Sequence, residues 1–178
     1  MVRVQKTLEL WKVIRDDTAQ AVEDMPAGAL DFRAAEGLMT FREIARHVLN
    51  SGNALTGLML DGVTNLAVPE LREMMKQYST KLPPDASQAD LAAALRLALD
   101  QRIAELSARD DAFFAEEITR FDGARLTRLE MLQTIKEHEL THRSQLFMYL
   151  RLKGVVPPTT RRREQAAKQA AGQASSRF

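Results

Sequence analysis

The chain has 178 residues, 45% hydrophobic and 28% charged, with 25 Lys and Arg set against 24 Asp and Glu for a formal net charge of +1. That length and mix predict one soluble globular unit with a real core, and the absence of cysteine excludes disulfides, thiolate zinc sites, iron–sulfur clusters and a cysteine nucleophile. No apolar run is long enough to span a bilayer, and residues 161–178 alone sum to +4 against −3 for the rest, so the body makes no case for nucleic-acid binding.

Helical periodicity runs nearly throughout. Segment 3–25 spaces Leu8, Trp11, Ile14 or Arg15, Thr18, Val22 and Met25 along one face, and Pro26 and Gly28 end it. Its opening, MVRVQKTLELWKVIRDD, lacks the apolar stretch and cleavage site of a secretory signal, which predicts a cytoplasmic protein. Thr40-Phe41-Arg42-Glu43 is a capping-box sequence and opens a second helix to about Leu60, stopped by Asp61-Gly62. The stripe of that helix is Phe41, Ile44, Val48, Leu55, Leu58 and Met59, with His47 within or beside it. In the long connection 61–87, Pro69 followed by ELREMMKQY predicts a short helix with Pro in its first turn, which Pro83-Pro84 cannot continue.

Ser87 N-caps a third long helix over about 88–108, with Leu91, Leu95, Ala98, Leu99, Arg102 and Leu106 in step. The stretch DDAFFAEEITRFDGARL reads either as a short helix or as an extended arm turning at Asp122-Gly123. Thr127-Arg128-Leu129-Glu130 repeats the capping box and opens the last long helix, which Lys153-Gly154 and Pro157-Pro158 close. The remaining RRREQAAKQAAGQASSRF has no apolar stripe and reads as a mobile tail or a frayed helix. Four long helices without strand alternation predict an all-α four-helix bundle over residues 1–158, with a short extra helix in the 61–87 connection and a basic low-complexity tail over 159–178.

The chain has three histidines, His47, His138 and His142, all on predicted helices. His138 and His142 are four apart and project from one helix face, with Cβ atoms roughly 5–6 Å apart. They advance in step with Met131, Ile135, Leu146 and Tyr149, which places both in the core stripe. A buried imidazole needs partners for its nitrogens. A metal is one solution; a hydrogen bond to Ser, Thr or a carboxylate is the other. A pair on one helix with a third His on another favours metal. Without cysteine, that metal would be held by His, oxygen donors and water. His138-Glu139-Leu140-Thr141-His142 also matches H-E-x-x-H of zinc proteases. The extended form of that motif fails at Gln145 and Met148, the only downstream Glu is Glu164 in the tail, and Glu139 points about 100° from His138.

Residues in and around the last helix carry a family resemblance. His138-Glu-Leu-Thr-His142-Arg143-Ser144-Gln145-Leu146, continuing into Tyr149-Leu150-Arg151-Leu152-Lys153-Gly154 and Pro157-Pro158, resembles the helix-four pattern of the DinB family, the DinB/YfiT-like metalloenzymes. Asp122-Gly123, Thr127-Arg128 and FREIARHVLNS fit as well, so the resemblance spans about residues 3–158. It implies an up-down-down-up four-helix bundle and the metal ligands His47, His138 and His142. The chain departs from the pattern at Thr141, where many members have a further His, and at Ser144, which replaces a Gly.

The resemblance implies a divalent-metal-dependent enzyme, a hydrolase or a transferase that uses a low-molecular-weight thiol, acting on a small-molecule substrate. Zinc and nickel both suit imidazole ligands. The alternatives are a non-catalytic metal-binding or stress-related bundle and a dimeric interaction module with purely structural histidines. A homodimer is expected, membrane attachment is not, and nucleic-acid contact through Arg161–Arg163 is disfavoured for lack of interleaved aromatics. Ser51, Gln145, Asn50, Asn53 and Tyr149 lie within two turns of a candidate ligand and are candidates to support it. Arg143 is placed either to clamp a carboxylate or to pair with Glu139. Segment 61–87, with Met74, Met75 and Tyr78, reads as a lid or as a solvated connector.

Overall fold

A computed structural model describes residues 3–175. The four long helices are α1 (Val4–Asp24), α2 (Phe41–Leu60), α4 (Gln88–Ser107) and α6 (Arg128–Leu152). Between them lie the one-turn helices α3 (Leu71–Lys76) and α5 (Asp111–Ala115) and the strands β1 (Glu117–Thr119) and β2 (Arg125–Thr127); α7 (Pro158–Ser175) follows. No helix among the described residues is long and apolar enough to cross a membrane.

Local chemistry sets the helix ends. Thr40 and Thr127 each form a complete capping box, with Glu43 and Glu130 returning the bond to the cap backbone. Ser87 accepts from the Asp90 amide to start α4. At the end of α6, the Gly154 amide bonds Arg151 O and the Val155 amide bonds Leu150 O, with Gly154 at φ +75°. That is the paired bonding of a Schellman stop, where glycine takes the left-handed conformation without a Cβ penalty. Pro158 then supplies the first residue of α7.

The two core clusters give the helix directions. One gathers Val22 and Met25 from the end of α1, Phe41 and Ile44 from the start of α2, Leu91 and Leu95 from the start of α4, and Leu146 and Leu150 from the end of α6. The other gathers Leu8, Leu58, Leu106 and Met131 from the opposite ends of the same helices. Helices α1 and α6 therefore run together, and α2 and α4 run the other way. This is the up-down-down-up order, in which α1 and α6 pack side by side and α2 packs on α6 and α4.

Two parallel neighbours, α2 and α4, need the long connection 61–87 to bring the chain back. It is tied to α2 one turn at a time: Arg46 donates to Leu82 O and Pro83 O, Asn50 accepts from the Thr80 amide, and Asn53 donates to Tyr78 O. Both readings of 111–127 occur in succession, a one-turn helix and then a hairpin turning at Gly123. The hairpin is two three-residue strands, which alternation cannot signal at that length. Residues 159–175, read as mobile or frayed, continue α7, with Arg161 on Asp24 and Arg162 on Asp17 of α1.

Candidate metal centre

The three histidines meet on the seam between α2 and α6. His47 Nε2 lies 3.1 Å from His138 Nε2, and His142 Nε2 lies 3.1 Å from the same atom. One nitrogen from each ring falls within 4.8 Å of the other two. The rings stand edge to face, with centroids 4.4–5.0 Å apart. His47 is exposed and the other two are partly buried, so the cluster opens to solvent.

Gln145 holds one ring in a defined state. His142 Nδ1–H donates to Gln145 Oε1 at 2.7 Å, which leaves the His142 Nε2 lone pair bare and aimed at the other rings. Ser51 does not reach an imidazole; its Oγ donates to the His47 carbonyl at 2.6 Å. Tyr149 donates to Met39 O, and Asn50 and Asn53 hold the 61–87 connection. Met74, Met75 and Tyr78 pack on the core cluster at the far end of α2.

The inward line of α6 differs from the one expected. His138 and His142 are not in the core stripe; Ile135, Glu139, Leu146 and Leu150 are. Glu139 is 2% exposed. It accepts Arg15 Nε at 2.6 Å, Arg15 Nη2 at 2.8 Å and Trp11 Nε1 at 2.6 Å. Arg15 also donates to Leu95 O of α4, so the ion pair is satisfied on all sides. Arg143 pairs with Asp17, not with Glu139. These bonds remove the protease reading of H-E-x-x-H, because its carboxylate points into the bundle and is engaged on α1. Sequence reasoning missed this buried pair. The available signal was Arg15, which the periodicity of α1 already offered as an alternative to Ile14 in the stripe.

Partial desolvation against its neighbours, and then His142 close by, holds His47 below the ordinary imidazole value. Burial first, and then His142 and His47, push His138 down to about 4, against a smaller opposing pull from Glu139. Neutral rings are the form that ligates metal. The spacing fits a first-row ion as well: ligand bonds of about 2.0–2.1 Å at tetrahedral or octahedral angles put neighbouring nitrogens about 2.8–3.4 Å apart, and two of the pairs stand at 3.1 Å. No carboxylate belongs to the cluster among the described residues.

A model of the DinB family matches residues 1–173, which carries the match beyond the Pro157-Pro158 pair and into α7. Solved structures share the fold. A DinB-like protein of Bacillus subtilis, YjoA, superposes with a TM-score of 0.64 at 21% identity, covering 84% of this chain and 92% of that one. YfiT of Bacillus subtilis, described as a probable metal-dependent hydrolase with an unusual four-helix bundle topology, gives 0.67 at 20% identity, over 87% and 91%. The mycothiol-dependent maleylpyruvate isomerase gives 0.60 at 14% identity, over 82% of this chain and 61% of that one. No curated protein matches the chain in sequence.

Proposed function

This chain belongs to the DinB family, and we propose that it is a metal-dependent enzyme whose single divalent ion, zinc or nickel, is held by His47, His138 and His142. The observation that carries this reading is the convergence of three imidazole nitrogens on an open seam, two of the pairs at 3.1 Å and all three within 4.8 Å. Three neutral ligands leave the double charge of an ion uncompensated, so the site favours an anionic or readily ionised fourth ligand. When bound, such an ion supplies Lewis acidity and lowers the pKa of a coordinated water or thiol.

The chain's own residues prepare that site. Gln145 fixes the His142 tautomer. Burial keeps His138 unprotonated at neutral pH. Glu139 is committed to α1 and leaves the site without a built-in carboxylate base. A hydrolytic reaction accords with the description of YfiT, and a thiol-dependent one with the isomerase that shares the fold. The chain has no cysteine, so a thiol would be an external low-molecular-weight cofactor. A small molecule is the substrate on either reading. A second copy of the chain is the expected partner, because Leu97, Met148 and Leu152 stand more than half exposed on helix surfaces.

Metal analysis of protein purified without a polyhistidine tag tests the site. About one equivalent is expected in the parent and less than about a tenth in His47→Ala, because a two-ligand remnant holds metal poorly. Equal metal in both would sink the reading. Turnover of ester, amide and electrophile panels, with and without added thiol, then separates the hydrolase from the transferase. Stoichiometric metal with no turnover on any panel favours the non-catalytic alternative.

A further inference from the structure

Each histidine of α6 is followed directly by a charged residue, and both charged residues are pinned to α1. Glu139, after His138, takes the bidentate Arg15 and the Trp11 indole. Arg143, after His142, donates to Asp17 Oδ2 at 3.1 Å, and Asp17 Oδ1 accepts Arg162 of α7 at 2.5 Å. Successive helix positions stand about 100° apart. Fixing 139 and 143 against α1 therefore turns 138 and 142 toward α2 and His47.

The charges run in opposite order on the two parallel helices: Arg15 then Asp17 on α1, Glu139 then Arg143 on α6. A one-turn slip of α6, about 5.4 Å, in either direction draws Glu139 off Arg15 and Arg143 off Asp17 together. These side chains are 2–3% exposed at the inner pair and 5–17% at the outer pair, where a charge left without its partner is costly.

We propose that Arg15, Asp17, Glu139 and Arg143 form an ionic register key that sets the rotation and axial position of α6 and so aims His138 and His142 at His47. They are positioning residues. The proposal rests on the metal reading only for its function; the key itself is a property of the bundle.

The test uses the full chain with Co(II) as the metal probe. Trp11→Phe, Arg15→Met and Glu139→Leu are combined, replacing the buried polar group by apolar volume, a change that is often neutral or stabilising. The expected result is parent-like helicity and melting, a loss of at least about tenfold in Co(II) affinity and an altered visible spectrum. Because the chain has no cysteine, spin labels at Lys6→Cys on α1 and Glu137→Cys on α6 report the register without metal. One narrow distance is expected in the parent and a broadened distance, or one shifted by about 5 Å, one helical turn, in the triple variant. A triple variant with the parent's affinity, spectrum and label distance overturns the proposal. If the triple variant does not fold, the outer pair decides. In an Arg162→Ala background, Asp17→Arg and Arg143→Asp should each weaken Co(II) binding and together restore it; no restoration overturns the key. A parent that takes up no Co(II) sinks the metal reading alone, and the label distances still judge the register.

Discussion

At the scale of single residues, the proposed metal site depends on side chains outside its three histidines. Gln145 is the clearest. Without its carbonyl at His142 Nδ1, the ring is free to adopt the tautomer that carries hydrogen on Nε2. Gln145→Leu should therefore weaken metal binding about 10–100-fold, the usual effect of losing a ligand's hydrogen-bond partner, while Gln145→Glu retains most of it. Competition titration against a chelating dye measures both. Glu139→Ala leaves the Arg15 guanidinium buried and unpaired, at a cost of about 3–5 kcal/mol, read by urea unfolding. The meeting of the three rings was legible because histidine is rare here and an i, i+4 pair on one helix leaves few other arrangements. The direction of Glu139 was not. Spacings of three and four admit two adjacent stripes on α6, and a carboxylate reads as solvent-facing until its partner, 124 positions upstream, is in view.

Elements hold the site through their ends and their close approaches. Thr127 starts α6 with a capping box, so Thr127→Ala should cost about 0.5–2 kcal/mol and fray the helix nearest the hairpin, seen as faster amide exchange there. Gly57 is a second point of control. A Cβ built at that position would lie 2.4 Å from Tyr78 Cε1, and the Tyr78 ring is anchored by its hydroxyl on Asp61. Gly57→Ala should therefore displace the 61–87 connection and destabilise by about 1–3 kcal/mol, as overpacking does, despite the helix propensity it adds. The long helices were legible from their caps and apolar periods. The hairpin was legible only as an extended arm turning at Asp122-Gly123, because three residues per strand cannot show alternation. Helix α7 was read only as a mobile tail or a frayed helix, because its hold on the body comes from its first turn, through two ion pairs to α1 and a hydrogen bond from Arg151 to Thr160, and contacts that distant leave no periodic trace.

For the molecule as a whole, the cluster links protons to stability, and the proposed metal enters the same linkage. In the unfolded chain the imidazoles titrate near about 6.5; in the folded chain His47 is lowered and His138 is pushed down to about 4. The unfolded state therefore binds more protons as pH falls below about 6.5, and stability is full above that point and lost toward pH 4. A metal that binds only the folded chain adds to stability in the same direction, by about 2.7 kcal/mol at a free concentration 100 times its Kd. Thermal melting at pH 7.5 should accordingly rise with zinc or nickel, and the rise should shrink as pH is lowered through the same window. The combined variant His47→Ala, His138→Ala, His142→Ala separates the two effects. It should show no metal-dependent shift, and its stability should fall less between pH 7 and pH 5 than that of the metal-free parent, since the rings that resist protonation are gone. A variant that still melts higher with metal would place the ion elsewhere on the chain. A variant that keeps the parent's full acid sensitivity would remove the imidazoles as its source.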